Sequence, residues 1–185
     1  MTMASPDAHV HDHDHEHDPS CAVAHGTAGL PAEDKVLVAV FASPVASFLL
    51  RYARDAGYRA VLMEPDLDLA RSAAADGAEM ADSMDSFAPG AADVVVTDHH
   101  RQELGVQLRD ALASKARWVG IMGNPRHEGP HLKALAELGV PPAEISLVHR
   151  PIGLNIGSRA PAEIAIATMA GLIADRNGKP GGFTF

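Results

Sequence analysis

From Lys35 onward, short apolar runs rich in β-branched residues alternate with longer segments whose apolar positions recur every three or four residues. The runs cover residues 36–41, 60–63, 93–97, 118–122 and 145–149, and each is predicted to be a strand. Helical spacing covers 44–56, 67–75, 102–113, 128–138 and 161–176. Strands this short and this uniformly apolar suit a parallel sheet covered on both faces. The expected fold is therefore α/β, a Rossmann-like, doubly wound, mostly parallel sheet with helices on both faces.

Punctuation along the chain agrees. Ser43-Pro44 offers an N-cap followed by proline in the first turn, Gly57 and Gly139 stand where helices should stop, and Pro161 with Glu163 opens the last helix. At 185 residues the chain has room for one ordinary domain, and with 46% hydrophobic residues it has material for a core. No uncharged stretch reaches the ~20 residues that a membrane-spanning helix needs, and no basic region followed by an apolar run opens the chain. The single cysteine, Cys21, leaves no intrachain disulfide, so a soluble, cytoplasmic protein is expected.

Charge divides the chain in two. Residues 1–34 hold seven acids and no lysine or arginine, while the rest carries fifteen basic and seventeen acidic residues, a net charge of −2. A near-neutral body without a basic stripe argues against nucleic-acid binding, which needs cations to neutralise phosphates. His9, His11, His13, His15 and His17 alternate with Val10 and acids, so on an extended chain they fall on one side, where pairs can weakly capture a divalent ion. No four-ligand spacing is present, and the reading is a disordered tail over 1–34 preceding a domain over 35–185.

In open α/β sheets ligands bind beyond the carboxyl ends of the strands. After the run 93–97 come Asp98, His99, His100 and Arg101; after 118–122 come Gly123, Asn124, Pro125, Arg126 and His127; after 145–149 come Arg150, Pro151, Ile152, Gly153, Leu154, Asn155, Ile156, Gly157, Ser158 and Arg159. Three strand ends thus bring histidines and arginines to one rim. Arg126, Arg150 and Arg159 offer forked donors for phosphate or carboxylate, His99, His127 and His149 line the rim, and Gly120, Gly123, Gly153 and Gly157 are expected to admit a ligand close to the backbone. A minor alternative gathers Asp98, His99, His127 and His149 around zinc or iron. His131 follows on the stretch after 118–122 and joins the rim histidines, with a solvent-facing place on a helix as the plainer alternative.

A dinucleotide would call for G-x-G-x-x-G after the first strand, but the segment Phe41-Ala42-Ser43-Pro44-Val45-Ala46 has no glycine. Ser43 and the helix N-terminus remain as an anion seat, and Glu64 stands at the end of the second strand, where an acid often holds a ribose hydroxyl. NAD(P) binding is therefore disfavoured. No G-x-S-x-G elbow supports nucleophilic hydrolysis.

The segments Ala116-Arg117-Trp118-Val119-Gly120-Ile121-Met122-Gly123 and Val148-His149-Arg150-Pro151-Ile152-Gly153-Leu154-Asn155-Ile156-Gly157-Ser158-Arg159-Ala160-Pro161-Ala162-Glu163-Ile164-Ala165 resemble the C-terminal Rossmann domain of the XdhC/CoxI family, in a short actinobacterial form. The resemblance implies a non-catalytic maturation factor for molybdenum hydroxylases of the xanthine or carbon monoxide dehydrogenase type. Such a factor binds molybdenum cofactor and passes it to the apoenzyme; a cysteine desulfurase is a further implied partner, and a homodimer is compatible. The chain departs from the family pattern in the glycine-free first loop, in Asn155 for aspartate and in Ala160 for threonine. Longer relatives carry a preceding cysteine-bearing domain, so steps that need it would fall to another protein. Two rival functions remain, an NAD(P)-dependent oxidoreductase and a metal buffer acting through the histidine tail.

Overall fold

A computed structural model describes residues 23, 25, 35–124 and 126–182. Strand β1 (Val36–Val40) is apolar throughout and buried throughout, which requires cover on both faces. Around it the chain builds α1 (Pro44–Asp55), β2 (Arg59–Met63), α2 (Leu67–Ala75), β3 (Glu79–Met80), a 3-10 turn (Met84–Ser86), β4 (Ala92–Val96), α3 (Leu104–Ala113), β5 (Trp118–Ile121), α4 (Pro130–Glu137), α5 (Pro142–Ile145), β6 (Val148–His149) and α6 (Pro161–Arg176). The six strands lie in the order β3-β2-β1-β4-β5-β6, every pair parallel. This is the doubly wound order, reversing direction between β1 and β4.

Alternation within the strands divides the core. Val38, Val40, Val61, Val94, Val96 and Ile121 pack with Leu104 and Leu108 of α3 and Leu135 of α4. Leu37, Ala39, Leu62, Val95 and Trp118 pack on the other face with Leu49 of α1 and Met169 and Leu172 of α6. At the amino ends of the strands, the fully buried Asp93 carboxylate accepts from Arg117, just before β5, and, at 2.7 Å, from Arg176 of α6. That pairing neutralises a buried charge and ties the last helix to β4.

Most expected elements agree within two residues. The run 145–149 does not: Pro141-Pro142-Ala143-Glu144 starts a short helix through Ile145, leaving only Val148 and His149 as strand. Proline at the first helical position and Glu144 in the first turn favour that helix, and Ile145 is buried from it while Leu147 is exposed. Strand β3 has no apolar run to announce it; it exists because Val61 and Leu62 offer a free edge.

The helix ends follow their chemistry. Ser43 Oγ accepts from Ala46 N–H at 3.0 Å, and Gly57 and Gly139 end their helices at φ +81° and +75°. Ala160 has N-cap geometry, φ −80° and ψ 148°, but no side-chain acceptor. Only the other half of a capping box is made: Glu163 Oε2 accepts from the N–H groups of Arg159 and Ala160, which holds its carboxyl below the usual range. Ala160→Thr is accordingly expected to raise unfolding stability by about 1 kcal/mol in urea titrations. No gain would mean that the cap geometry is not kept in solution. No helix among the described residues is long and apolar enough to cross a membrane.

Candidate functional site

Beyond the carboxyl ends of β2, β1 and β4, where a dinucleotide would lie, the protein is closed by its own side chains. Phe41 occupies the first position after β1 with φ +73° and is wholly buried, in the left-handed conformation that glycine adopts at least cost. Its N–H donates to Met63 O at 2.9 Å. Thr97 donates to the carbonyls of Val40 and Phe41, and Ser43 donates to Thr97 at 3.1 Å while capping α1. Ser43 therefore acts as the stitch between β1 and β4.

Glu64 is consumed in the same way. Its two oxygens accept from Ala42 N–H at 2.6 Å and Asp66 N–H at 2.9 Å, and from both terminal nitrogens of Arg101 at 3.2 and 2.9 Å. The carboxylate has no exposed surface, and the Arg101 guanidinium lies 4.7 Å from the centre of the Phe41 ring. A forked ion pair thus spans the place expected for a ribose, and Glu64 holds the loop rather than presenting a free acceptor. The sequence places Arg101 in the loop after β4 without singling it out as a site residue; its position directly after Asp98-His99-His100 is the available signal.

The rim beyond β4, β5 and β6 is where three loops meet. Asp98 Oδ1 accepts from His100 N–H at 2.9 Å, and the rings of His99 and His100 stand 4.1 Å apart. Burial pushes the His99 pKa down and the charges of His100 and Arg150 act the same way, while the Asp98 carboxylate and a hydrogen bond to the Met122 backbone oppose them. His99 thus feels groups from the segments that follow β5 and β6 as well as its own loop. Arg150 donates to Asn124 O at 2.7 Å and His127 O at 3.0 Å, so its fork clamps the loop after β5 and is not the free anion donor expected.

The glycines need a parallel correction. A Cβ on Gly123 would come 2.8 Å from Arg150 Nε, one on Gly120 would enter the Trp118 ring, and one on Gly153 would reach the Ala167 carbonyl carbon at 2.9 Å. These three make room for the protein itself. Gly157, at φ +69°, has open space around it.

His149 leaves the rim: its ring stacks on the Trp118 indole at 4.9 Å and 10°, on the face covered by α1 and α6. Among the described residues no three histidine, cysteine, aspartate or glutamate side chains gather as a metal site, so the alternative built on Asp98, His99, His127 and His149 is withdrawn. His9, His11, His13, His15 and His17 lie outside the described residues. His131 is buried, not solvent-facing; its Nδ1 has no partner, and burial with nearby Arg150 lowers its pKa.

What remains open at the rim is His100, Arg126, His127, Asn155 and Arg159, all exposed. The backbone N–H of Arg126 donates to Asn124 Oδ1, but among the described residues neither the Arg126 nor the Arg159 guanidinium has a hydrogen bond or ion pair. Two forked cations and two exposed imidazoles on the loops beyond the strand ends suit an anionic, hydrogen-bonding ligand.

Comparison with known proteins agrees with this architecture. Residues 37–172 match the family described as the XdhC Rossmann domain. Over 89 residues the chain is 38% identical to YqeB of Escherichia coli K12, described as uncharacterized, covering 48% of this chain and 16% of that protein. The crystal structure of a xanthine dehydrogenase from Bacillus halodurans superposes on 78% of this chain and 45% of that one, with a TM-score of 0.62 and 22% identity, a likeness of fold. The chain spans less than half the length of either relative.

Proposed function

The chain belongs to the XdhC family through its Rossmann domain, and from that premise we propose that it is a cytoplasmic accessory factor for molybdenum hydroxylases of the xanthine or carbon monoxide dehydrogenase type. It binds molybdenum cofactor as cargo and aids its insertion into the apoenzyme, with a cysteine desulfurase as a further partner. The observation that carries this reading is the pair of exposed guanidinium groups, Arg126 and Arg159, which have no hydrogen bond or ion pair among the described residues and lie on the loops that follow β5 and β6. Molybdopterin has a phosphate terminus and a hydrogen-bonding pterin, and the donor set fits the anionic end: the arginines hold the phosphate, and His100, His127 and Asn155 add hydrogen-bonding groups at the rim.

The oxidoreductase reading has less support. Its crevice is spanned by the Glu64–Arg101 pair, and its first loop carries Phe41 where a glycine would approach a pyrophosphate.

The deciding experiment co-expresses an apo molybdenum hydroxylase with and without this chain and measures the molybdenum content of the purified hydroxylase. The chain is expected to raise it. Arg126→Ala and Arg159→Ala are each expected to weaken cofactor retention by about 1.5–3 kcal/mol, roughly ten- to a hundredfold, with unchanged unfolding midpoints because both side chains are unpartnered. Equal molybdenum content in both cultures would overturn the reading.

A further inference from the structure

The Trp118–His149 stack is not explained by packing alone. The indole can lie along β5 only because residue 120 is glycine, and Ile152 closes the same spot, since a Cβ there would come 2.8 Å from it. The chain thus keeps an aromatic plate flat beneath an exposed imidazole at the short edge strand. Beside the stack lies a cavity of about 240 Å³, walled by Trp118, His149, Ile152 and Leu154, with Lys179 and Asp175, the latter already paired with Arg117 at 2.6 Å, among its polar residues. It is smaller than the ~300–1,000 Å³ of pockets for drug-sized ligands, a size suited to one fused ring system.

An open π-face, backed by a second aromatic and adjoining an apolar-floored recess with polar groups, is a stacking platform for a planar heterocycle. We propose that His149, held by Trp118, is the stacking shelf for a fused bicyclic heteroaromatic ring, a pterin or a purine. The inference rests on the cargo-binding reading above and adds to it the subsite for the ring.

Trp118 is the only tryptophan in the chain, so its fluorescence reports on this place alone. Pterins absorb where indole emits, and titrating the full chain with 6-carboxypterin is expected to quench that emission to saturation. His149→Ala should weaken the apparent affinity roughly tenfold or more, and His149→Phe should restore it to within about threefold, because only the π-face is required. Guanosine monophosphate serves as competitor: displacement of the pterin assigns the shelf to purines as well, and no displacement assigns it to pterins. Absence of saturable quenching at millimolar pterin, or equal affinity in His149→Ala, overturns the proposal. If molybdenum content still rises in co-expression while pterin fails to bind, the shelf alone is wrong. If pterin binds but molybdenum content does not rise, the maturation reading fails and the shelf stands.

Discussion

Replacing Glu64 by alanine is expected to lower unfolding free energy by about 3–5 kcal/mol, the range for removing one partner of a buried ion pair. The size follows from what is stranded. Arg101 is 19% exposed and loses both bonds to the carboxylate, keeping Glu103 at 3.5 Å and the Phe41 ring. The N–H groups of Ala42 and Asp66 lose their acceptor as well. A guanidinium is protonated at any ordinary pH even without the upward push that Glu64 now gives it, so Arg101 stays charged in the variant and nothing relieves it. Urea unfolding read by circular dichroism measures the loss, and a change below about 1 kcal/mol would show the pair to be as weak as an exposed one. A double replacement, Glu64→Leu with Arg101→Met, should be less damaging than Glu64→Ala, because no buried charge is left alone. The same pair closes the nucleotide crevice, so its removal tests stability at the place where the oxidoreductase reading needs an open ribose seat.

The second large effect is expected at Gly153. Gly153→Ala should cost about 2–4 kcal/mol, combining overpacking with the penalty of a left-handed backbone for a residue bearing a Cβ. At φ +82° the new methyl would meet the carbonyl carbon of Ala167 at 2.9 Å and its oxygen at 3.0 Å, and backbone of a helix cannot swing aside. Gly171 faces the same contact from α6, where its Cβ would come 3.0 Å from Gly153 Cα. The loop is also fastened there by Leu154 N–H to Ala167 O at 3.0 Å. Gly157→Ala is the matched control: its φ is +69° but nothing lies within 4 Å, so only the conformational penalty of roughly 1–2 kcal/mol applies. Equal losses at the two positions in parallel urea titrations would contradict the packing argument. Because Asn155 and Arg159 follow on the same loop, Gly153→Ala is further expected to lower client molybdenum content.

Much of the frame could be read along the chain. The runs that became β1, β2, β4 and β5 are apolar and short, and the helices Leu67–Ala75 and Pro161–Arg176 begin and end where their spacing and punctuation place them. These features depend on neighbours within a few residues. Pro142 illustrates the limit within that range: the helical start it favours was hidden by the apolar run it precedes.

The site was legible only as a set of loops. That Arg150, Arg126 and Arg159 belong to one rim follows from parallel topology, but which of them is free does not. Arg150 finds Asn124 and His127 across more than twenty residues, and Glu64 finds Arg101 across thirty-seven. His149 lies beside Gly120 only through the register of β5 with β6, and from there reaches Trp118.

The order of hydrophobic and polar residues therefore determined the strands, the helices and the winding of the sheet, since burial on both faces of a parallel strand leaves its mark on consecutive residues. Tertiary structure decided which glycines serve packing, which acid and arginines are consumed, and where the histidines stand. A hydrogen bond or a stacked ring needs its partner within a few ångströms, and that distance is set by how separate segments come together, which no local pattern records.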